Sequence, residues 1–110
     1  MPAEPSRAAH PRTRLDDNFA SPIRFSLMAA LRDDAELDFG TLADILQTGD
    51  SALSKAISHL HETGYVVARK GYVGSRARTW VRATALGHKA FAGHLRALQE
   101  IVDYGEAQAP

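Results

Sequence analysis

The chain has 110 residues, 45% of them hydrophobic and 7% aromatic, with 13 Lys and Arg balanced by 13 Asp and Glu. That length and composition fit one domain with a single core built mainly from Leu, Ile, Val and Ala, and they exclude a globally disordered chain. The absence of cysteine excludes disulfides, thiolate zinc sites and cysteine nucleophiles, and no apolar run approaches the roughly 20 residues that span a bilayer.

Residues 1–14, MPAEPSRAAHPRTR, carry three prolines and little apolar content, so a flexible tail is expected there. Arg7, Arg12 and Arg14 have no apolar stretch behind them, which argues against a secretory signal and for a cytoplasmic protein. Order is expected from Leu15. In SPIRFSLMAALRDD, Ser21 is a helix N-cap and Pro22 occupies the first turn, where a missing N–H is harmless. Ile23, Leu27 and Leu31 then form an apolar stripe flanked by Met28.

The next stretch, AELDFGTLADILQTGD, predicts a short strand over Leu37–Phe39 and a brief helix holding Leu42, Ile45 and Leu46, capped by Asp38 or Thr41. QTGD breaks it, with Gly49 as the permissive residue. Asp50 or Ser51 then caps a second helix, which ends at Gly64, a residue suited to a left-handed C′ position with Tyr65 packing back. Two short helices joined by a tight turn predict a helix-turn-helix. Val66–Arg69 and Thr79–Ala83 are β-favouring runs around a glycine-bearing cationic loop, which predicts a hairpin. Thr84 can cap a last helix with a stripe of Phe91, Leu95, Leu98, Ile101 and Val102, and residues 106–110 are expected to fray.

Charge is not spread evenly. Residues 51–89 hold Lys55, Arg69, Lys70, Arg76, Arg78, Arg82 and Lys89 against Glu62 alone, while the segments on both sides are acidic. A cationic centre with anionic flanks predicts one face suited to an anion. The helix beginning near Ser51 sharpens this. With Leu53, Ile57 and Leu60 buried, Ser51, Ser54, Lys55 and Ser58 lie within about 80° of the opposite pole and His59 within about 60°. Small side chains let a helix sink into the DNA major groove, where hydroxyls and cations meet base edges and phosphates. The alternative is a solvated face. The hairpin's all-positive loop favours DNA, because Arg76 and Arg78 can reach phosphates or a narrow minor groove.

Together, SPIRFSLMAAL, LDFGTLADIL, SALSKAISHLHETGYV, KGYVGSRARTWVRAT and LGHKAF resemble small MarR/ArsR-like winged helix-turn-helix transcriptional regulators over about residues 15–100. The resemblance implies a mainly α fold with a small β-hairpin: a three-helix core, a wing and a long C-terminal helix. It implies a domain over residues 15–105. Recognition falls to Ser51, Ala52, Ser54, Lys55, Ser58 and His59, and wing contacts to Arg76 and Arg78, with Lys70 and Ser75 in lesser roles. It also implies that the terminal helices pair two subunits. Phe91, Leu95, Leu98, Ile101 and Val102 are then the dimer residues, although the stripe also suits the domain core. Two recognition helices about 34 Å apart would favour an inverted repeat in double-stranded DNA. Relatives often open the last helix with Thr-Pro-Glu, where this chain has Thr84-Ala85-Leu86.

Other signals point to no chemistry. His59 and His61 diverge by about 160° on a helix and cannot share an ion. Asp33, Asp34, Glu36 and Asp38, like Asp16 and Asp17, read as solvated acidic turns. With no phosphate loop or nucleophile elbow, neither an enzyme nor a cofactor is expected. Trp80 reads as closing a core edge, or as lining a dimer contact or pocket. The expected function is a homodimeric transcriptional repressor. The rivals are a protein-interaction module of the same fold and a DNA-binding sensor with an unidentified small-molecule effector between subunits, near Trp80 and the last helix.

Overall fold

The computed structural model describes residues 9–109. Helix α1 spans Pro22–Ala30, strand β1 Glu36–Asp38, helix α2 Phe39–Leu46, helix α3 Asp50–Thr63, strands β2 Val66–Val73 and β3 Arg76–Ala83, and helix α4 Ala85–Gln108. The three strands form one antiparallel sheet in the order β1-β3-β2.

Local chemistry sets most boundaries. Ser21 Oγ accepts the Arg24 N–H at 3.3 Å, so α1 starts where sequence predicts, with Pro22 in its first turn. Of the two candidate caps for α2, Asp38 is the one used: its Oδ2 accepts the Thr41 N–H at 3.3 Å. That capping pulls Phe39 into the helix and moves β1 one residue earlier than the expected Leu37–Phe39. Gly64 takes the left-handed conformation at φ 86°, and the Tyr65 N–H reaches back to the Leu60 carbonyl at 2.8 Å. Thr84 Oγ1 caps α4 by accepting from the Gly87 N–H at 3.0 Å. The turn between α2 and α3 departs from expectation. Gln47, not Gly49, adopts the left-handed conformation (φ 50°), and the N-cap of α3 is the extended Gly49, with no side-chain cap hydrogen bond, not Asp50 or Ser51, which lie inside the helix.

Leu27 and Met28 from α1, its C-cap Leu31, Leu42 from α2, Leu53, Ile57 and Leu60 from α3, and Val66 and Val81 from the sheet meet in one core. Each buried Leu contributes about 1.5–3 kcal/mol relative to exposure. Phe91 from α4 and Phe19 close that core and stack edge-to-face with centroids 5.3 Å apart. The start of α4 lies so close to the start of β2 that a Cβ on Gly87 would fall 2.1 Å from the Tyr65 carbonyl oxygen.

Among the described residues, the segments 9–20 and 103–109 are more ordered than composition suggests. Residues 1–8 lie outside the described residues, but Pro11–Arg14 and Asp17–Phe19 form 3-10 turns, with Pro11 and Phe19 buried. This segment straps the domain: Arg14 pairs with Glu100, His10 packs edge-on against Tyr104, and the Asp16 N–H donates to His94 Nδ1 at 3.0 Å. A tail over all of residues 1–14 is therefore corrected to an ordered strap from His10 onward, because buried side chains and long-range hydrogen bonds replace the contacts its composition lacks. Likewise α4 continues through Gln108 instead of fraying at residue 106.

Candidate nucleic-acid interface

Helix α3 follows α2 after a three-residue turn, Gln47 to Gly49. Leu53, Ala56, Ile57 and Leu60 anchor one side of it in the core. Ser51, Ser54, Lys55, Ser58 and His59 are exposed on the other side, and Ala52 is half-buried. Among the described residues no side-chain hydrogen bond or ion pair engages Ser51, Ser54, Lys55 or Ser58. His59 differs: its Nε2 lies 2.8 Å from Asn18 Oδ1, to which it donates. Thr63 Oγ1 donates to the His59 carbonyl at 2.9 Å and approaches the same Asn18 oxygen at 3.4 Å. His59 is thus held by the strap, and Ala52 turns partly inward, so these two are the weaker members of the predicted recognition set.

The hairpin is longer than the two predicted β runs. Its strands pair from Val66↔Ala83 to Val73↔Arg76, leaving only Gly74 and Ser75 as the turn. Gly74 has φ 63° and Ser75 does not have positive φ, the pattern of a type II′ turn that matches the twist of the strands. The cations assigned to one basic loop therefore sit on strands and alternate between the two faces of the sheet. Lys70 and Thr79 share the face of Val81, whereas Arg69, Arg76, Arg78, Arg82 and Trp80 share the opposite face.

On that opposite face two of the four arginines, Arg69 and Arg78, have partners within the domain. Arg69 makes a two-pronged contact with Glu36, at 2.6 Å and 3.1 Å, which holds the Glu36 carboxyl below its usual range and raises the Arg69 guanidinium. Its guanidinium lies over the Trp80 ring, 5.6 Å from the centroid. Arg78 Nη1 approaches Asp38 Oδ2 at 3.4 Å. The Asp38 carboxyl is held low chiefly by the Thr41 hydroxyl, which donates at 2.6 Å, and further by Arg78. Arg76, Lys70 and Ser75 remain exposed. Glu36 and Asp38 are therefore structural ion-pair partners, not a solvated acidic turn, and Arg78 is a shared residue whose charge is partly met within the domain. Asp16 is corrected in the same way. It accepts from Tyr65 Oη and from Asn18, and although partial burial opposes ionisation, these hydrogen bonds and His94 hold its carboxyl below the usual range.

Trp80 packs on the outer sheet face beside Gly71, whose Cβ would lie 3.2 Å from the indole ring. It does not line the domain's apolar cavity. That cavity, about 440 Å³, is bounded by the strap, α1 and α4, with Leu15, Asp16, Phe19, Phe25, His94 and Leu98 in its wall. Along α4, Phe91 is 3% exposed, so it belongs to the domain core and not to a subunit interface. Leu95 packs partly against that core, Ile101 is half-buried, and Leu98 and Val102 are exposed. No group of three or more metal-ligating side chains occurs among the described residues, and none of their helices is long and apolar enough to cross a membrane.

A helix-turn-helix whose second helix turns small polar residues outward, followed by a cationic hairpin, defines the winged-helix class of DNA-binding domains. The sequence matches the winged helix DNA-binding domain family over residues 23–102, and the chain belongs to that family. Its fold is a winged helix with a three-stranded antiparallel sheet and a long C-terminal helix, as the sequence resemblance implies. The fold is similar to the transcriptional regulator homologue protein from Pyrococcus horikoshii OT3 (24% identity, TM-score 0.74, 80% of this chain and 87% of that one). It is also similar to the PcaV transcriptional regulator from Streptomyces coelicolor in complex with its natural ligand (16%, 0.69, 90% and 69%). A third similar structure is NadR in complex with 4-hydroxyphenylacetate (21%, 0.64, 97% and 83%). Comparison with curated proteins finds no match.

Proposed function

We propose that this winged-helix DNA-binding protein is a homodimeric transcriptional repressor that places α3 in the major groove of each half of an inverted repeat and its hairpin on the flanking backbone or minor groove. The observation that carries the reading is the outward face of α3: Ser51, Ser54, Lys55 and Ser58 are exposed and unengaged, on a helix held rigidly by its opposite side. Lys55, Lys70 and Arg76 supply phosphate contacts, and the serines choose sequence. Leu98, Ile101 and Val102, at the distal part of α4, pair with a second copy; Leu98 and Val102 are 37% and 53% exposed in the single chain. Selection of bound duplexes from a random pool, followed by salt titration, tests this. The expected outcome is a two-fold symmetric site. Arg76→Ala lowers the salt slope by about one unit, and Ser54→Ala or Ser58→Ala changes base preference more than nonspecific affinity. A protein that binds duplexes no better than other polyanions is instead an interaction module.

The apolar cavity favours a second, compatible property: a small aromatic effector. Phe19 and Phe25 offer ring faces, while Asp16 and Asp17 line the cavity without any Lys or Arg. This lining favours a neutral or cationic aromatic over an acid such as the 4-hydroxyphenylacetate bound by NadR. Tyramine should therefore raise the melting temperature more than 4-hydroxyphenylacetate; the reverse order would refute the electrostatic argument.

A further inference from the structure

The hairpin tip carries a feature that charge does not explain. Tyr72 is 74% exposed and Val73 is 50% exposed, the two residues that lead into the Gly74-Ser75 turn. Tyr72 pairs across the ladder with Ala77, too small to cover an aromatic ring, and Val73 pairs with Arg76. β1 pairs only with Trp80, Val81 and Arg82, so the distal hairpin is two-stranded and stands clear of the third strand. From Val66 to Ala83 there is no acidic residue, while Arg69, Lys70, Arg76, Arg78 and Arg82 all lie on these two strands. A second copy of such a hairpin would be repelled. An anionic surface with an apolar floor would be attracted.

We infer that Tyr72, exposed at the hairpin tip on the sheet face of Lys70 and Thr79, is a specificity residue that enters the minor groove beside each half-site and selects A·T pairs. The inference rests on the DNA-binding reading above. The minor groove exposes A N3 and T O2 as acceptors, and only G·C adds a protruding N2 amino group. The phenol O–H of Tyr72 donates to those acceptors, and its ring lies along the sugar edges. The guanine amino group both crowds the ring and offers a donor where an acceptor is needed. Tyr72 is uncharged, so its contribution is separable from that of the cations by salt.

The test uses the full chain and the duplex it selects. Tyr72→Ala is expected to lose the A·T preference at the flanking positions and to weaken binding about tenfold, with an unchanged salt slope and melting temperature. Tyr72→Phe is expected to lose the hydrogen-bonded part of the affinity and discrimination and to keep the steric part, because the ring remains. Replacing the flanking adenines with 2,6-diaminopurine adds the minor-groove amino group and leaves the major-groove edge intact. It should weaken the wild type and leave Tyr72→Ala unaffected. A wild type that selects a duplex, with Tyr72→Ala showing the same flanking preference and the same diaminopurine penalty, would overturn the role of Tyr72 alone. Loss of self-association in Tyr72→Ala with DNA selection intact would overturn it in favour of a protein contact. A wild type that selects no duplex would overturn both this inference and the reading beneath it.

Discussion

The two halves of α4 share one helix and one apolar stripe, yet they do different jobs. In the proximal half Gly87, Phe91, His94 and Ala97 are buried against the strap, the sheet and α1. In the distal half Leu98, Val102 and Tyr104 face solvent, and the strap covers only part of the helix through Arg14 and His10. Periodicity alone cannot separate a residue that closes its own core from one that awaits a second copy. Burial does, and it moves Phe91 from the predicted interface into the domain.

The largest expected effect lies in the proximal half. Phe91→Ala removes a ring in contact with Phe19 and Phe25 and should destabilise the domain by about 3–5 kcal/mol. Chemical denaturation measures it, and a loss below about 1 kcal/mol would return Phe91 to an interface role.

A smaller effect comes from His94, at the junction of the halves. It is 6% exposed, its Nδ1 accepts from the Asp16 N–H, and the rings of Phe19 and Phe25 flank it, so the neutral form with the proton on Nε2 is the one that fits. Burial lowers its pKa from the ordinary 6.5, opposed by the nearby Asp16 carboxylate. The unfolded chain then binds the proton first as pH falls. The stabilisation from neutral His94 is complete above 6.5 and is lost as pH drops through the lower folded value. Unfolding free energies measured from pH 7.5 to 5 should decline, and His94→Gln should flatten that slope. An unchanged slope would show that the ring is not the titrating group.

The smallest effect on folding belongs to the distal half. Leu98→Glu with Val102→Glu should change the stability of the monomer by no more than about 0.5 kcal/mol per site, yet shift the protein from dimer to monomer in sedimentation. If the double variant still sediments with the wild type, the distal stripe is not the subunit contact.

Most of the fold was legible because local rules were strong. Ser21-Pro22, Thr84 and Gly64 mark helix ends through hydrogen bonds made within a few residues, and Leu27, Leu31, Leu53 and Leu60 keep helical spacing. The exposed serine face of α3 followed from that spacing. The hairpin extends beyond its β-favouring runs, from Val66 to Val73 and from Arg76 to Ala83. Gly71 resembles a loop residue in sequence, but it is a strand position whose missing Cβ makes room for Trp80. Gln47 was invisible as a turn residue, since non-glycine side chains rarely take positive φ and the surrounding helices impose it.

The sequence by itself determined the element order, the caps of α1 and α4 and which side of α3 turns inward, because these depend on groups within about one helical turn of one another. Only the tertiary structure decided which charges are spent inside the protein. Glu36 meets Arg69, Asp38 meets Arg78 and Asn18 meets His59 across 33, 40 and 41 residues of chain, respectively. Composition counts those groups as available for a partner; folding brings each to a neighbour and leaves Lys55, Lys70 and Arg76 to face outward.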